Sequence, residues 1–298
     1  MTRPCVPSEA ELPTIDSPAD DRGVAMMRGM DVDLGELYHE NSKLHRGDRA
    51  FGGWVQLINQ TSELQTTLVR SWRSHRGTDV VALGRGAGSE SPPPETTVPS
   101  AAEALDAILS DRRSVRRFSG PITLSQLGDL LRMTYGHIRP ARHDGHLESR
   151  RSCPSAGALY TLELYVQVRQ VDGLVPGIYH YQVRENALAR IKVTDSEDDL
   201  RLGEAIFNPE MQEGAAAVVW FVGVMGRCRY KYRHRAYRFV LLEAGHAAQT
   251  LLLRTTALGL GACALGGFFD DEVADVLGVD SVDEPPVYGV ILGNPKKA

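Results

Sequence analysis

The sequence predicts an α+β layer fold, because strong helix and strand signals share most of the chain without alternating as β-α-β units. Ala216 to Val224 is an almost unbroken apolar run, as a strand buried on both faces requires. Arg235 to Leu258 instead repeats apolar residues at helical spacing, and Leu241, Leu242, Ala248, Leu251 and Leu252 are expected to face inward. No internal repeat is visible in the sequence.

Residues 1–28 are rich in Pro, Asp and Glu without a sustained period, and a disordered tail is expected there. Residues 29–83 turn helix-like, with Leu34, Leu37 and Tyr38 and then Trp54, Leu57, Ile58, Leu64 and Leu68 at apolar positions. They read as a small N-terminal helical element, a candidate contact for a peptide or a partner. Residues 84–99 have the Gly and Pro content of a linker or surface loop. Gly84, Gly86 and Gly88 superficially resemble a dinucleotide fingerprint, but three prolines stand where its helix would begin, and the phosphate-binding geometry is lost. The main domain is expected over 100–298.

Within it, Ala101 to Leu109 has helical propensity. Thr123-Leu124-Ser125-Gln126 is a capping box that opens a helix carrying Leu127, Leu130 and Leu131 and ending at Gly136. Residues 139–151 are polar, and His137, His143 and His146 nearby make no set of three or four ligands, so a mobile loop is expected and no metal site. Leu162 to Val168 and Ile178 to Tyr181 read as strands of a hairpin, with turns at Asp172-Gly173 and Pro176-Gly177. Val287 to Leu292 reads as the last strand.

Composition excludes several classes. The chain has 298 residues and a formal charge of -5, without the dominant basic field of a general nucleic-acid binder. Cys5, Cys153, Cys228 and Cys263 form no C-x-x-C pair, which argues against a zinc site and a disulfide framework and for a reducing cytoplasm. The start of the chain lacks an apolar signal segment, and the longest apolar run is well short of the ~20 residues of a membrane-spanning helix.

Four separated segments carry candidate chemistry. Arg112, Arg113, Ser114 and Arg116 follow a helix, where they can close on a phosphate or simply complement the helix dipole. Lys296 and Lys297 offer further phosphate contacts or a solvated tail. Pro154, Ser155, Ala156 and Gly157 open a stretch running to Tyr160, in which Ser155 is a hydrogen-bonder and natural N-cap and the small residues admit a flat ring. Gly259 to Phe268 reads as a helix C-cap running into a strand. Asn208 lies in an Asn-Pro turn start.

Arg227 to Arg238 holds six Arg or Lys and no acid, with three tyrosines interleaved. It can be a nucleic-acid stacking platform, but in an acidic chain it reads more simply as a helix entrance beside an anionic site. Within it Lys231 is one of only five lysines, and Lys, unlike Arg, can be driven to its neutral, proton-accepting form by burial or nearby cations. The alternative is a surface Lys beside a packing Tyr232. Glu243 and His246, at i and i+3, read as a satisfied, half-buried pair.

Together these segments resemble the nitroreductase superfamily from about residue 100 to the end. Pro154-Ser-Ala-Gly-Ala-Leu-Tyr160 and Lys231-Tyr232 are similar to its SagB-type azoline dehydrogenases of ribosomal peptide biosynthesis, as is the Tyr38-His39-Glu40 stretch with Lys43. This chain departs from that branch at Thr161, where Pro is usual, and from classical nitroreductases at Ala158, Tyr160, Thr161-Leu162 and Gly266. The resemblance implies a nitroreductase-like fold with a central mixed or antiparallel sheet flanked by helices, in a homodimer. It implies FMN held by Arg112, Arg113, Ser114, Arg116 and Lys296 at the phosphate and by Pro154, Ser155, Ala156, Gly157, Asn208, Gly266 and Gly267 around the ring. Lys231 and Tyr232 are then catalytic, the substrate is an azoline-containing peptide, and a cyclodehydratase is a partner. No NAD(P) motif is visible, so oxygen is expected to reoxidise the flavin, with peroxide as by-product. The alternatives are an NAD(P)H-dependent nitro or quinone flavin reductase and a non-catalytic scaffold subunit.

Overall fold

The apolar run of Ala216 to Val224 becomes an inner strand of a seven-stranded sheet. The computed structural model describes residues 57–58, 60–61, 77, 79–83, 100–143, 146–194, 196–206 and 209–296, all within the unit from Arg46 to Ala298. The expectations for residues 1–28, for most of 29–99, and for Asn208 and Lys297 lie outside the described residues. In chain order the elements are β1 (Val80–Ala82), α1 (Ala101–Asp111), β2 (Ile122–Thr123), α2 (Leu124–Tyr135), β3 (His137–His143), β4 (His146–Arg151), β5 (Leu162–Val168), β6 (Val171–Asp172), β7 (Gly177–Gln182), β8 (Ala187–Val193), α3 (Ser196–Glu204), β9 (Ala217–Gly223), α4 (Met225–Tyr232), α5 (Ala236–Ala257), β10 (Gly261–Leu265), α6 (Asp270–Leu277) and β11 (Pro286–Gly293). The large sheet runs β1-β8-β7-β5-β9-β11-β10, every neighbouring pair antiparallel.

Side chains alternate across a strand, so each inner strand feeds two cores. Leu162, Leu164, Val166, Val219, Phe221, Val290 and Leu292 pack with α2 and α5 on one face. Tyr165, Val218, Trp220 and Ile291 pack with α3 and α6 on the other. Phe221 and Trp220 are both fully buried, and truncating either to Ala would cost ~3–5 kcal/mol. The capping box of α2 forms as read: Thr123 Oγ1 accepts from the Gln126 amide at 3.1 Å, and Gln126 Oε1 accepts from the Thr123 amide at 2.9 Å. Arg254 Nε donates to Asp129 Oδ2 at 2.6 Å and ties α5 to α2.

Three local expectations are corrected. Leu241 and Leu242 point outward, and the buried face of α5 is Val240, Ala244, Ala247, Ala248 and Leu251. The helix is apolar around much of its girth, so periodicity alone does not select a face; the alanines win because they let the helix lie close on the sheet. His137–His143 and His146–Arg151 pair as antiparallel strands β3 and β4 where a loop was expected, since backbone pairing does not require apolar side chains. Val80–Ala82 also joins the main sheet beside β8, and Leu83 is buried against Gly128, whose added Cβ would lie 3.2 Å from Leu83 Cβ.

Strand register fixes the two ends of the sheet. Leu265 of β10 is level with Gly289, Trp220 and Tyr165, and Ala262 is level with Leu292, Ala217 and Val168. Gly266 and Gly267 therefore leave β10 at the sheet end where β5 begins, three strands and about 14 Å away at the usual spacing. Among the described residues no helix is long and apolar enough to cross a membrane, no cluster could hold a metal, and Cys153, Cys228 and Cys263 are free and buried.

Candidate active site

The segment before β5 holds two of the four non-glycine residues with positive φ among the described residues. Gly157, Ala158 and Tyr160 have φ of 60°, 53° and 50°, a left-handed conformation costing a non-glycine residue roughly 1–2 kcal/mol. Such strain persists only where surrounding contacts over-determine it. Ser155 Oγ accepts from the Tyr160 amide at 2.8 Å and donates to Glu243 Oε2 at 2.6 Å. Its single proton is thereby committed to the protein. Arg151 lies over the rings of Tyr135 and Tyr160, 4.4 and 4.7 Å from their centres.

Glu243 is the anchor of this loop. It is buried on α5 and accepts from the Thr161 amide at 3.0 Å, the Thr161 hydroxyl at 2.9 Å and the Ser155 and Tyr135 hydroxyls. Burial pushes its carboxyl above the usual range, against the pull of these donors. The expected pairing with His246 is corrected: His246 is exposed, because three residues along α5 carry it from the buried face to solvent. A second buried acid, Glu163, went unforeseen. Burial pushes its pKa up, but His180 Nε2 at 2.8 Å and Arg227 outweigh that and hold it at about 2. Arg227 also donates to the Tyr160 carbonyl at 3.3 Å, so α4 is clamped to the same loop. The signal in the sequence was an acid inside an otherwise apolar strand.

That clamp brings Lys231 and Tyr232 to the loop. A Cβ added at Gly157 would lie 2.6 Å from Tyr232 Oη and 3.1 Å from Lys231 Nζ. Both polar tips thus face one point on the loop, where Gly157 itself is exposed. Lys231 is buried in α4, and desolvation lowers its pKa below the ordinary lysine value. Among the described residues no acid pairs with it. Burial raises the Tyr232 phenol, and Phe239 packs its ring edge-to-face at 4.8 Å.

The cationic segments gather at the opposite end of the sheet. Ser114 bridges Ala262, and the Val115 amide donates to the Ala262 carbonyl at 2.9 Å. Phe118 bridges Pro295, and the Lys296 amide donates to the Arg117 carbonyl at 3.0 Å. Arg116, Arg117 and Lys296 line a cleft of about 760 Å³ together with Phe118, Pro209, Met211 and Gly214 and two acids, Glu210 and Glu213. Among the described residues Arg112, Arg113 and Arg116 enter no ion pair, which leaves their charge for an anion. Ile206 bridges Phe268 and the Phe269 amide donates to the Ala205 carbonyl at 2.8 Å, which sets the exposed Gly266 and Gly267 near the end of α3. From Ala262, which Ser114 bridges, to Gly266 is about 13 Å of strand.

One chain therefore unites Arg116 and Lys296 in one cleft, with Gly266 and Gly267 at the far end of β10. It separately unites Pro154, Ser155, Ala156 and Gly157 with Lys231 and Tyr232. The two groups stand at different strands of the sheet and are not joined within the chain.

Residues 109–294 match the model of the nitroreductase family. A Methanocaldococcus jannaschii protein named as a nitroreductase is 36% identical over 174 residues, which are 58% of this chain and 83% of that one. The microcin B17-processing protein McbC of Escherichia coli is 26% identical over 149 residues, 49% of this chain, so the match spans about half (54%) of McbC. A chain of the E. coli microcin synthetase McbBCD complex with truncated pro-MccB17 bound has the same fold, with a TM-score of 0.50 at 16% identity, covering 90% of this chain and 99% of that one. With its antiparallel sheet and a family match over more than half its length, the chain belongs to the nitroreductase family.

Proposed function

We propose that this protein is an FMN-dependent dehydrogenase that oxidises thiazoline or oxazoline rings of a peptide to thiazoles or oxazoles. The observation that carries the reading is the convergence of Lys231 Nζ and Tyr232 Oη on the strained loop at Gly157. The likeness to McbC, a peptide-processing protein, supports it.

The residues present suit FMN: Arg116, Arg117 and Lys296 outnumber Glu210 and Glu213 in the cleft for a single phosphate, and the exposed Gly266-Gly267 backbone lies at the far end of β10 for the ring. Bound there, FMN supplies a hydride acceptor. Aromatisation removes one further hydrogen as a proton, which Lys231 Nζ takes in its neutral form, eased by the desolvation that lowers its pKa. Tyr232 Oη orients the ring and shares the proton. Glu243, Ser155 and Arg227 hold the loop and α4 in register.

A homodimer completes the site in this reading. It is supported by α1, which buries no residue yet carries half-exposed Leu105 and Leu109, and by exposed Leu241 and Leu242 on α5. The azoline peptide and a cyclodehydratase are the partners. A small-molecule flavin reductase is the second reading, favoured by the archaeal nitroreductase relative; steady NAD(P)H consumption by the pure protein identifies it. The primary test is the mass of an azoline peptide before and after incubation. Loss of two hydrogens per ring is expected, and an unchanged mass with flavin-loaded protein rejects the assignment.

A further inference from the structure

Gly157 is the one residue of its loop whose missing side chain is occupied by other side chains. At φ of 60° the position suits glycine already. The space beside it, however, is filled by Tyr232 Oη and Lys231 Nζ, 2.6 and 3.1 Å from where a Cβ would stand, with Tyr232 Cζ at 3.5 Å. The first distance is closer than atoms approach, so an added methyl must displace the phenol. Neither tip swings freely. Phe239 holds the Tyr232 ring at 4.8 Å, Lys231 is buried, and α4 is pinned through Arg227 to Tyr160 and Glu163 and through the Val224 amide to the Thr161 carbonyl at 2.8 Å.

We propose that Gly157 is a positioning residue: the absence of its side chain reserves the space in which Lys231 Nζ and Tyr232 Oη meet, and so sets where that pair acts. Its functional side rests on the azoline-dehydrogenase reading; its geometric side does not. Backbone approach to a ring would ask only for a small residue at this point. Occupation by the pair asks for none, and forbids even a methyl group.

The test is a double-mutant cycle on melting temperature between Gly157→Ala and Tyr232→Phe, with flavin content and azoline turnover followed in parallel. Backbone strain from Ala at positive φ is the same in both backgrounds and cancels in the cycle. The clash with Oη is absent from the Phe background. The expected result is that Gly157→Ala lowers the melting temperature at least twice as much in the wild-type background as in Tyr232→Phe. If Gly157→Ala folds only in the Phe background, the proposal is upheld more strongly. Gly157→Asn, which carries the same Cβ and tolerates positive φ better, serves as the second variant. Equal losses in both backgrounds overturn the proposal. In turnover, flavin-loaded Gly157→Ala is expected to be slowed at least tenfold, and a wild-type rate overturns the positioning role. If Lys231→Ala also turns over at the wild-type rate, it is the reading of the pair as acid and base that has failed, and the cycle still decides the geometry.

Discussion

Ser155 Oγ lies 2.6 Å from Glu243 Oε2, a contact between residues 88 positions apart that pins a strained surface loop to the longest helix. Because Ser155 Oγ also accepts from the Tyr160 amide, its hydroxyl is a structural joint whatever else it touches. Ser155→Ala removes an acceptor from one amide and a donor from a buried carboxylate, and should cost ~1–3 kcal/mol of stability. Glu243→Gln should cost more, ~3–5 kcal/mol, since four donors then converge on a neutral amide with a single acceptor oxygen. Denaturant unfolding of the two variants checks both the size and the order.

The Glu163 carboxyl is held at about 2 in the fold, from an ordinary value of 4.5. A carboxyl with a depressed folded pKa adds stability that is fully present above its unfolded pKa and is lost as pH falls through the folded one. Stability should therefore fall between about pH 4.5 and pH 2, with this one group contributing on the order of 3 kcal/mol. Glu163→Gln should lower stability at neutral pH and flatten that acid limb. An acid limb of unchanged steepness in the variant counts against the pairing with His180 and Arg227.

The cleft at Arg116 and Lys296 predicts flavin loss without unfolding. Arg112→Ala with Arg116→Ala should release FMN while leaving the melting temperature of the flavin-free protein unchanged, because neither side chain is buried or ion-paired among the described residues. Lys296→Ala should weaken FMN less, as a point charge beside a bidentate group does. Flavin absorbance after gel filtration measures this, and full occupancy in the double arginine variant removes the phosphate assignment.

What could be read from the sequence was the short-range part. The Thr123–Gln126 capping box and the β9 run depend on residues within a few positions of one another, and each appears where periodicity or capping chemistry put it; Ser155, read as an N-cap, makes no cap hydrogen bond, and its hydroxyl is turned to the Tyr160 amide and Glu243. The joints between them did not show, because Ser155–Glu243, Arg227–Glu163 and the meeting of Tyr232 with Gly157 join residues 64 or more positions apart. A single acid in an apolar strand or helix is their only local trace. The same limit explains Leu241 and Leu242, which a one-dimensional pattern turns inward and which the sheet leaves outside.

Those leucines predict the assembly. If α1 and the outer face of α5 are covered by a second copy, Leu241→Glu with Leu242→Glu should yield a monomer in light scattering that also loses FMN. A dimer that survives both charges places the interface elsewhere.

Lys231 and Tyr232 carry the sharpest prediction. If they move the proton during ring oxidation, Lys231→Ala and Tyr232→Phe should each keep the flavin and slow azoline oxidation by the roughly 10²–10⁴-fold that positioned acid/base groups supply, or about 3–5 kcal/mol of barrier. Acting as one unit, the pair should make the double variant scarcely slower than the poorer single one. Burial lowers the Lys231 pKa from 10.5, so the neutral base forms on the acid side of that value and kcat/KM should climb with pH below it. In Lys231→Ala that rising limb should vanish while the flavin spectrum stays unchanged. A wild-type pH profile in Lys231→Ala would leave this lysine no part in the proton transfer, and with it the main reason to prefer azoline oxidation over small-molecule flavin reduction.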